Sequence, residues 1–241
     1  MSKIRLDKAC IEKMETRTRA KDAIQEGRVL VNGKVITKAS FIVDESDCIE
    51  ILKKENDFVS RAGAKLQGAF DEFDIHIEND VVLDIGASTG GFTDVCLRHG
   101  AKKVYALDVG HLQLSEKLEQ DNRVVKYEGR NAREICQEWF EEPIDFVCMD
   151  VSFISCKTIL DVVFEELNVS HMAILVKPQF ECGPDALNKH GVLRNEKLRG
   201  KIIEGVKEYL LVHYKHVYTM DSVLSGRSGN QEAVLYAFEK R

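Results

Sequence analysis

Asp84, Gly86, Gly90 and Gly91 close the short apolar run Val-Val-Leu-Asp-Ile and lead into a helix-like segment. An acid followed by glycines could seat a nucleotide-like cofactor, because glycine permits a sharp turn and lets a ligand approach the backbone. The loop is not that of a dinucleotide fold. The G-x-G-x-x-G fingerprint places its second glycine where Ser88 stands, and a carboxylate at Asp84 would repel a pyrophosphate. The same carboxylate suits a cationic cofactor, and S-adenosylmethionine, with its ammonium and sulfonium charges, meets that description. A nicotinamide-dependent dehydrogenase is the alternative. It too would use an acid at the second strand, but it leaves Asp84 without a role.

In an open α/β sheet ligands bind beyond the carboxyl ends of the strands, so the residues where apolar runs stop are the candidates. Four runs stop at polar groups. The first ends at Asp84 and the loop containing Gly86, Ser88, Thr89, Gly90, Gly91, Phe92 and Thr93; the second ends at Asp108-Val109-Gly110. Asp108 could hold both hydroxyls of a ribose or cap the next helix. The third run is followed by Gly129-Arg130-Asn131, and the fourth ends at Asp150. Lys177 follows Ala173-Ile174-Leu175-Val176 and precedes Pro178, a setting that points to a crevice rather than an idle surface charge. Lys65 and Glu232, taken singly, also fit solvated faces. Together, Lys65, Asp150, Lys177 and Glu232 would supply two ammonium groups and two carboxylates to one site if the fold gathers them.

The elements that must position these groups follow from periodicity. Strands are expected at 81–86, 103–108, 123–127, 144–149, 172–177, 215–224 and 232–238, and helices at 60–73, 91–99, 112–119, 131–139, 155–167 and 195–211. That alternation predicts a doubly wound α/β sheet, with the last two strands forming an antiparallel pair at one side. Ahead of it, Arg5 to Met14 reads as a short helix. A second helix, capped by Thr16 or Thr18, stops at Gly27. Asn32-Gly33 between Val29–Val31 and Val35–Thr37 signals a type I′ hairpin, and a third strand is expected at 48–52.

Charge divides the chain in the same place. Residues 1 to 43 hold ten Lys or Arg against five Asp or Glu, a net +5, so the remainder carries −11 of the total −6. Arg17, Arg19 and Lys21 open the second helix, where the macrodipole favours acids, so they suit a polyanionic partner better than local stability. A solvated charged surface is the alternative. A polar stretch at about 53–58 is expected as the linker between domains at 1–55 and 59–241. Seven scattered cysteines without a C-x-x-C pair predict buried reduced thiols, with no disulfide framework and no metal. No apolar signal core precedes the first domain, and no apolar run nears the roughly 20 residues of a bilayer span. A soluble cytoplasmic protein with no membrane partner is expected.

Two sets of motifs carry a family resemblance. Arg5-Leu6-Asp7, Thr16-Arg17-Thr18-Arg19-Ala20 and Gly27-Arg28-Val29-Leu30-Val31-Asn32-Gly33-Lys34 resemble the S4 RNA-binding domain. That resemblance implies RNA contacts at Arg5, Arg17, Arg19, Lys21, Arg28 and Lys34. Ser60-Arg61-Ala62-Gly63-Ala64-Lys65-Leu66, the 84–93 loop, Met149-Asp150-Val151-Ser152-Phe153 and Val176-Lys177-Pro178-Gln179-Phe180-Glu181 resemble the TlyA family, often labelled haemolysin A, of FtsJ-like RNA 2′-O-methyltransferases. It implies a Rossmann-like methyltransferase sheet, S-adenosylmethionine as donor and S-adenosylhomocysteine as product. It also implies ribosomal RNA or a ribosomal subunit as partner, with cytidine ribose as target and no obligatory protein partner.

The family's Lys-Asp-Lys-Glu tetrad falls on Lys65, Asp150, Lys177 and Glu232, and Asp150 also borders the cofactor. A ribose hydroxyl is a poor nucleophile at neutral pH, so Lys177 is expected to take its proton while Lys65 steadies oxyanion charge and the carboxylates orient both lysines. Two other readings remain open at this point. One is a non-catalytic RNA-binding protein that keeps the cofactor fold, and the other is the haemolysin of the family label.

Overall fold

The computed structural model describes residues 3–14, 17–52, 58–111, 113–226 and 228–241, with only the backbone at Thr18. The chain falls into two compact units, Met1–Arg61 and Ala62–Arg241. The expected linker lies, over 53–57, outside the described residues, as does the cap expected at Thr16.

The first unit runs β1 (Ile4–Arg5), α1 (Leu6–Ala9), α2 (Ile11–Met14), α3 (Arg17–Gln25), β2 (Val29–Val31), β3 (Lys34–Val35), β4 (Ile42–Val43) and β5 (Ile49–Ile51). Ala20, Ala23 and Ile24 recur at helical spacing and pack with Leu6, Cys10, Val29 and Val43 into one small core. Gly27, at φ +72°, ends the α3 region. Asn32 and Gly33, at φ +51° and +76°, make the hairpin turn, and β2 pairs antiparallel with both β3 and β5. The helix expected at Arg5 to Met14 is two short helices with a break at Cys10.

The second unit opens with α4 (Arg61–Phe73), followed by β6 (Val81–Ile85), α5 (Gly91–Arg98), β7 (Lys103–Asp108), α6 (Glu116–Glu119), β8 (Val124–Glu128), β9 (Phe146–Met149) and α7 (Cys156–Glu166). It ends with β10 (His171–Val176), α8 (Pro178–Glu181), α9 (Glu196–Leu211), β11 (Tyr214–Asp221) and β12 (Ala233–Lys240). Seven strands form one sheet in the order β11-β12-β10-β9-β6-β7-β8. β12 alone runs antiparallel to its neighbours, as the turn-rich connection before it requires. Asp84 and His171 apart, β6, β9 and β10 are apolar on both faces because helices cover the sheet on both sides, and their side chains are buried along almost their whole length.

Two expected helices differ. The helix expected over 112–119 is α6 alone, and 131–139 is two 3₁₀ turns, Ala132–Glu134 and Gln137–Trp139. Ile135 and Phe140 both enter the main core. On a continuous helix, residues five apart would point about 140° from each other, so only a broken chain delivers both.

The chain leaves β6 toward β7 and β8 on one side, then crosses back to β9 and β10 on the other. The switch point therefore lies between β6 and β9. That is where an open α/β sheet leaves a crevice at its carboxyl edge.

Candidate active site

Asp150, Lys177 and Glu232 stand at the same end of three adjacent strands. Met149 pairs with Ile174, and Val176 pairs with Ala233. Asp150 thus follows the last residue of β9, Lys177 follows the last of β10, and Glu232 precedes the first of β12. Neighbouring strands lie about 4.8 Å apart, so side chains leaving this edge can meet. Lys177 Nζ lies 2.5 Å from Asp150 Oδ1 and donates to Ser152 Oγ at 2.8 Å. Lys65, on the first turns of α4, donates to Glu232 Oε2. Lys65 is 8% exposed and Glu232 2%. Two lysine–carboxylate pairs therefore occupy one end of the sheet, and the four residues named from sequence come together.

The surrounding loops fix these pairs. A Cβ at Gly226 would stand 2.6 Å from Glu232 Oε1, so this loop closes tightly over the carboxylate. Glu181, the last residue of α8, accepts from the Ser155 hydroxyl at 2.6 Å and from the Cys156 N–H at 2.7 Å. It ties the helix that starts directly after Lys177 to the helix that follows the Asp150 loop.

The glycine loop lies at the neighbouring strand end. Gly86 has φ +83°, and a Cβ there would stand 2.5 Å from the carbonyl oxygen of Asp150. Gly90 has φ +91° at the N-cap of α5, and its Cβ would meet the Leu118 side chain at 2.2 Å. A side chain at Gly86 would strike backbone, and the positive φ strains any other residue at both positions. Asp108 accepts the Ser88 N–H at 2.8 Å and the Gly110 N–H at 2.7 Å, so one lone pair on each oxygen is engaged and its rotamer is set. Val109 beyond it is exposed. Asn131 caps the first 3₁₀ turn through the Arg133 N–H. Phe92 is buried, so its backbone alone can face a ligand, and Gly91 and Thr93 are buried as well.

Asp84 is fully buried. Its Oδ2 accepts the Thr93 hydroxyl at 2.6 Å, while Oδ1 has no hydrogen-bond partner. Burial pushes its carboxyl up to about 7, opposed by the Thr93 hydroxyl and reinforced by the charge of Asp150. An orphaned buried acceptor beside this glycine loop fits a cationic ligand that the chain itself does not supply. A surface cavity of about 330 Å³ bordered by Ile75, His76 and Arg98 lies at the opposite end of β6 and holds none of these residues.

In the first unit, Asp7 is fully buried and takes both Arg5, at 3.0 Å, and Arg17, at 3.0 Å. The Arg5 guanidinium holds the Asp7 carboxyl down to about 2, with Arg17 adding to the effect. Both arginines keep part of their surface in solvent, anchored from below. Arg28 pairs with Glu26 at 2.8 Å, and Lys21 and Lys34 are exposed. Arg19 lies in the same helix, half-buried.

Residues 58–238 match the family described as FtsJ-like methyltransferase, and residues 4–49 match the S4 domain. Hemolysin A of Brachyspira hyodysenteriae is 46% identical over 90% of this chain and 92% of its own. The 16S/23S rRNA (cytidine-2′-O)-methyltransferase TlyA of Mycobacterium tuberculosis is 36% identical over 92% of this chain and 84% of its own. A solved structure from Streptococcus thermophilus, named there as a candidate hemolysin, superposes with a TM-score of 0.77 at 35% identity and covers 99% of this chain and 90% of its own.

This chain belongs to the FtsJ-like methyltransferase family.

Two features of this FtsJ-like site were not singled out from sequence. Ser152 accepts from Lys177, and its signal was its place in the Met149-to-Phe153 motif. Phe153 is 90% exposed at φ +64°, with its ring 4.9 Å from that of Phe180. A bulky residue held in the left-handed region and in solvent is costly without a purpose. Among the described residues, no helix is long and apolar enough to cross a membrane.

Proposed function

We propose that the protein methylates the 2′-oxygen of a cytidine ribose in ribosomal RNA, using S-adenosylmethionine, with its S4 unit docking the RNA. With that substrate, the cytoplasm is its place of action. The observation that carries this reading is the row of Asp150, Lys177 and Glu232 at adjacent strand ends, with Lys65 paired to Glu232. Relatives named as rRNA cytidine-2′-O-methyltransferases support it.

Asp84, the 86–93 loop, Asp108 and Asn131 would hold the cofactor, whose contribution when bound is a methyl carbon activated by a sulfonium. Lys177 Nζ, as the neutral amine left once its ammonium has given a proton to solvent, receives the ribose proton and returns to the ammonium that Asp150 holds. Its contact with Asp150 and its bond to Ser152 aim the nitrogen, and Lys65, held by Glu232, offsets negative charge growing on the oxygen. Alignment of the ribose oxygen by these side chains supplies much of the acceleration. Incubating purified protein with ribosomal subunits and labelled donor tests the reading. Label in 2′-O-methylcytidine is expected; label confined to bases, or absent, would reject it.

Asp84 gives the cofactor affinity a pH dependence. Its raised carboxyl stabilises the empty fold when neutral, fully below the ordinary carboxylate value of about 3.9, and that contribution is lost as pH rises through about 7. A cation favours the ionised form. Affinity therefore rises with pH by up to about tenfold per unit below 7 and levels off above it. Calorimetric titrations between pH 5.5 and about 8 should show this slope in the parent and a flat response in Asp84→Asn. A flat parent curve would remove Asp84 from the site.

The basic unit is tested by Arg17→Gln with Arg19→Gln, because glutamate at 17 would face buried Asp7 and unfold the unit for another reason. RNA affinity should fall about tenfold near physiological salt, with cofactor affinity unchanged. Unchanged RNA affinity would count against this face.

A further inference from the structure

Beyond residue 43 the chain carries a net −11, yet an RNA strand must reach its catalytic end. Several cations of the second unit are already neutralised, among them Lys102 and Lys103 by Glu142, Arg123 by Asp121, Lys126 by Glu119 and Arg199 by Asp221. Lys189, Arg194 and Lys197 cluster within nine positions of the sequence. All three are exposed, and none makes an ion pair among the described residues.

They sit on and beside a built hairpin. Leu187 bridges Leu193, and the Asn188 carboxamide oxygen accepts the N–H groups of His190 at 2.8 Å and Val192 at 3.1 Å. Gly191, at φ +71°, completes the turn. The hairpin is stapled to the catalytic loop by Asn230, which is 3% exposed. Its Oδ1 accepts the Leu193 N–H at 2.9 Å and its Nδ2 donates to the Gly191 carbonyl at 3.0 Å. The Asn230 carbonyl in turn accepts from Gly226, the glycine packed against Glu232. A buried amide with both ends spent on one hairpin fixes that hairpin, since leaving either end unpaired is costly. Asn230 lies two residues before Glu232, and two extended residues span at most about 7 Å.

We infer that this hairpin is a second RNA grip, on the catalytic unit, in which Lys189 and Arg194 neutralise backbone phosphates next to the target ribose. The inference rests on the RNA methyltransferase reading above. Asn230 couples the grip to the active site, so an RNA held by the hairpin is registered against Glu232 and Lys65. Lysine and arginine without protein partners release counterions when they meet phosphate, which makes the grip sensitive to salt.

The test compares the full-length parent with Lys189→Ala/Arg194→Ala, and with Lys201→Ala/Lys207→Ala further along α9 as a control. Methyl transfer to ribosomal RNA and filter binding of deproteinised ribosomal RNA are measured across a salt series, with melting temperature as the folding check. The hairpin variant should raise KM for RNA about tenfold, keep kcat within about twofold, and lower the slope of log affinity against log salt by about 1.5 to 2. The control should match the parent. An unchanged KM and slope in the hairpin variant would overturn the inference while leaving the enzyme reading intact. So would a defect seen only with intact subunits and not with deproteinised RNA, which would make the partner a ribosomal protein. Absence of transfer by the parent itself would instead count against the enzyme reading.

Discussion

Lys177→Ala should lower the rate of methyl transfer by about 10²- to 10⁴-fold while cofactor affinity stays near that of the parent. The residue stands at the end of β10 in contact with Asp150 and the Ser152 hydroxyl, one strand further than Asp150 from the strand that leads into the glycine loop proposed to hold the donor. Its loss removes the acceptor for the ribose proton and the cation that balances Asp150. Lys177→Arg separates the two roles. A guanidinium keeps the charge but does not give up its proton in proteins, so this variant should remain as inactive as alanine if Lys177 acts as a base. Single-turnover assays, with calorimetry for the donor, measure both quantities. Substantial activity in the arginine variant would reduce Lys177 to an electrostatic part.

Lys65→Met should destabilise the second unit by about 3–5 kcal/mol, a large share of a domain's stability, because it leaves the carboxylate of Glu232 buried and unpaired. Adding Glu232→Gln should restore most of that loss, since a neutral amide no longer requires a cation, but activity should stay absent. Urea denaturation of the single and double variants reads the stability, and the transfer assay reads the function. If Lys65→Met melted like the parent, the pair would not be the buried one described. If the double variant were active, neither residue would belong to the catalytic machinery.

The parts of this site that were legible in sequence are those set by local pattern. Val81 to Ile85 declares a strand because every residue of it is buried, and the polar groups at strand ends follow from the rule that crevices lie there. Asn32-Gly33 dictates its own turn. The remainder depends on contacts between distant residues. Lys65 and Glu232 are 167 positions apart, and they meet only because β12 inserts between β10 and β11 in one particular register. Asp7 reads as an ordinary polar position in a helix, yet it lies beneath two arginines. Asn230 looks like part of a turn-rich connection, and its burial appears only once the 187–193 hairpin folds onto it. The broken helix after Asn131 has the same origin, since tertiary packing of Ile135 and Phe140 overrides a plausible local periodicity.

The most direct test of the central claim is mass spectrometry of nucleosides from ribosomal RNA of cells with and without this protein, with nuclease mapping of the modified position. A 2′-O-methylated cytidine should be present with the parent, missing without it, and not restored by Lys177→Ala. Identical ribose methylation in both sets of cells, or a methyl group found on a base, would contradict it.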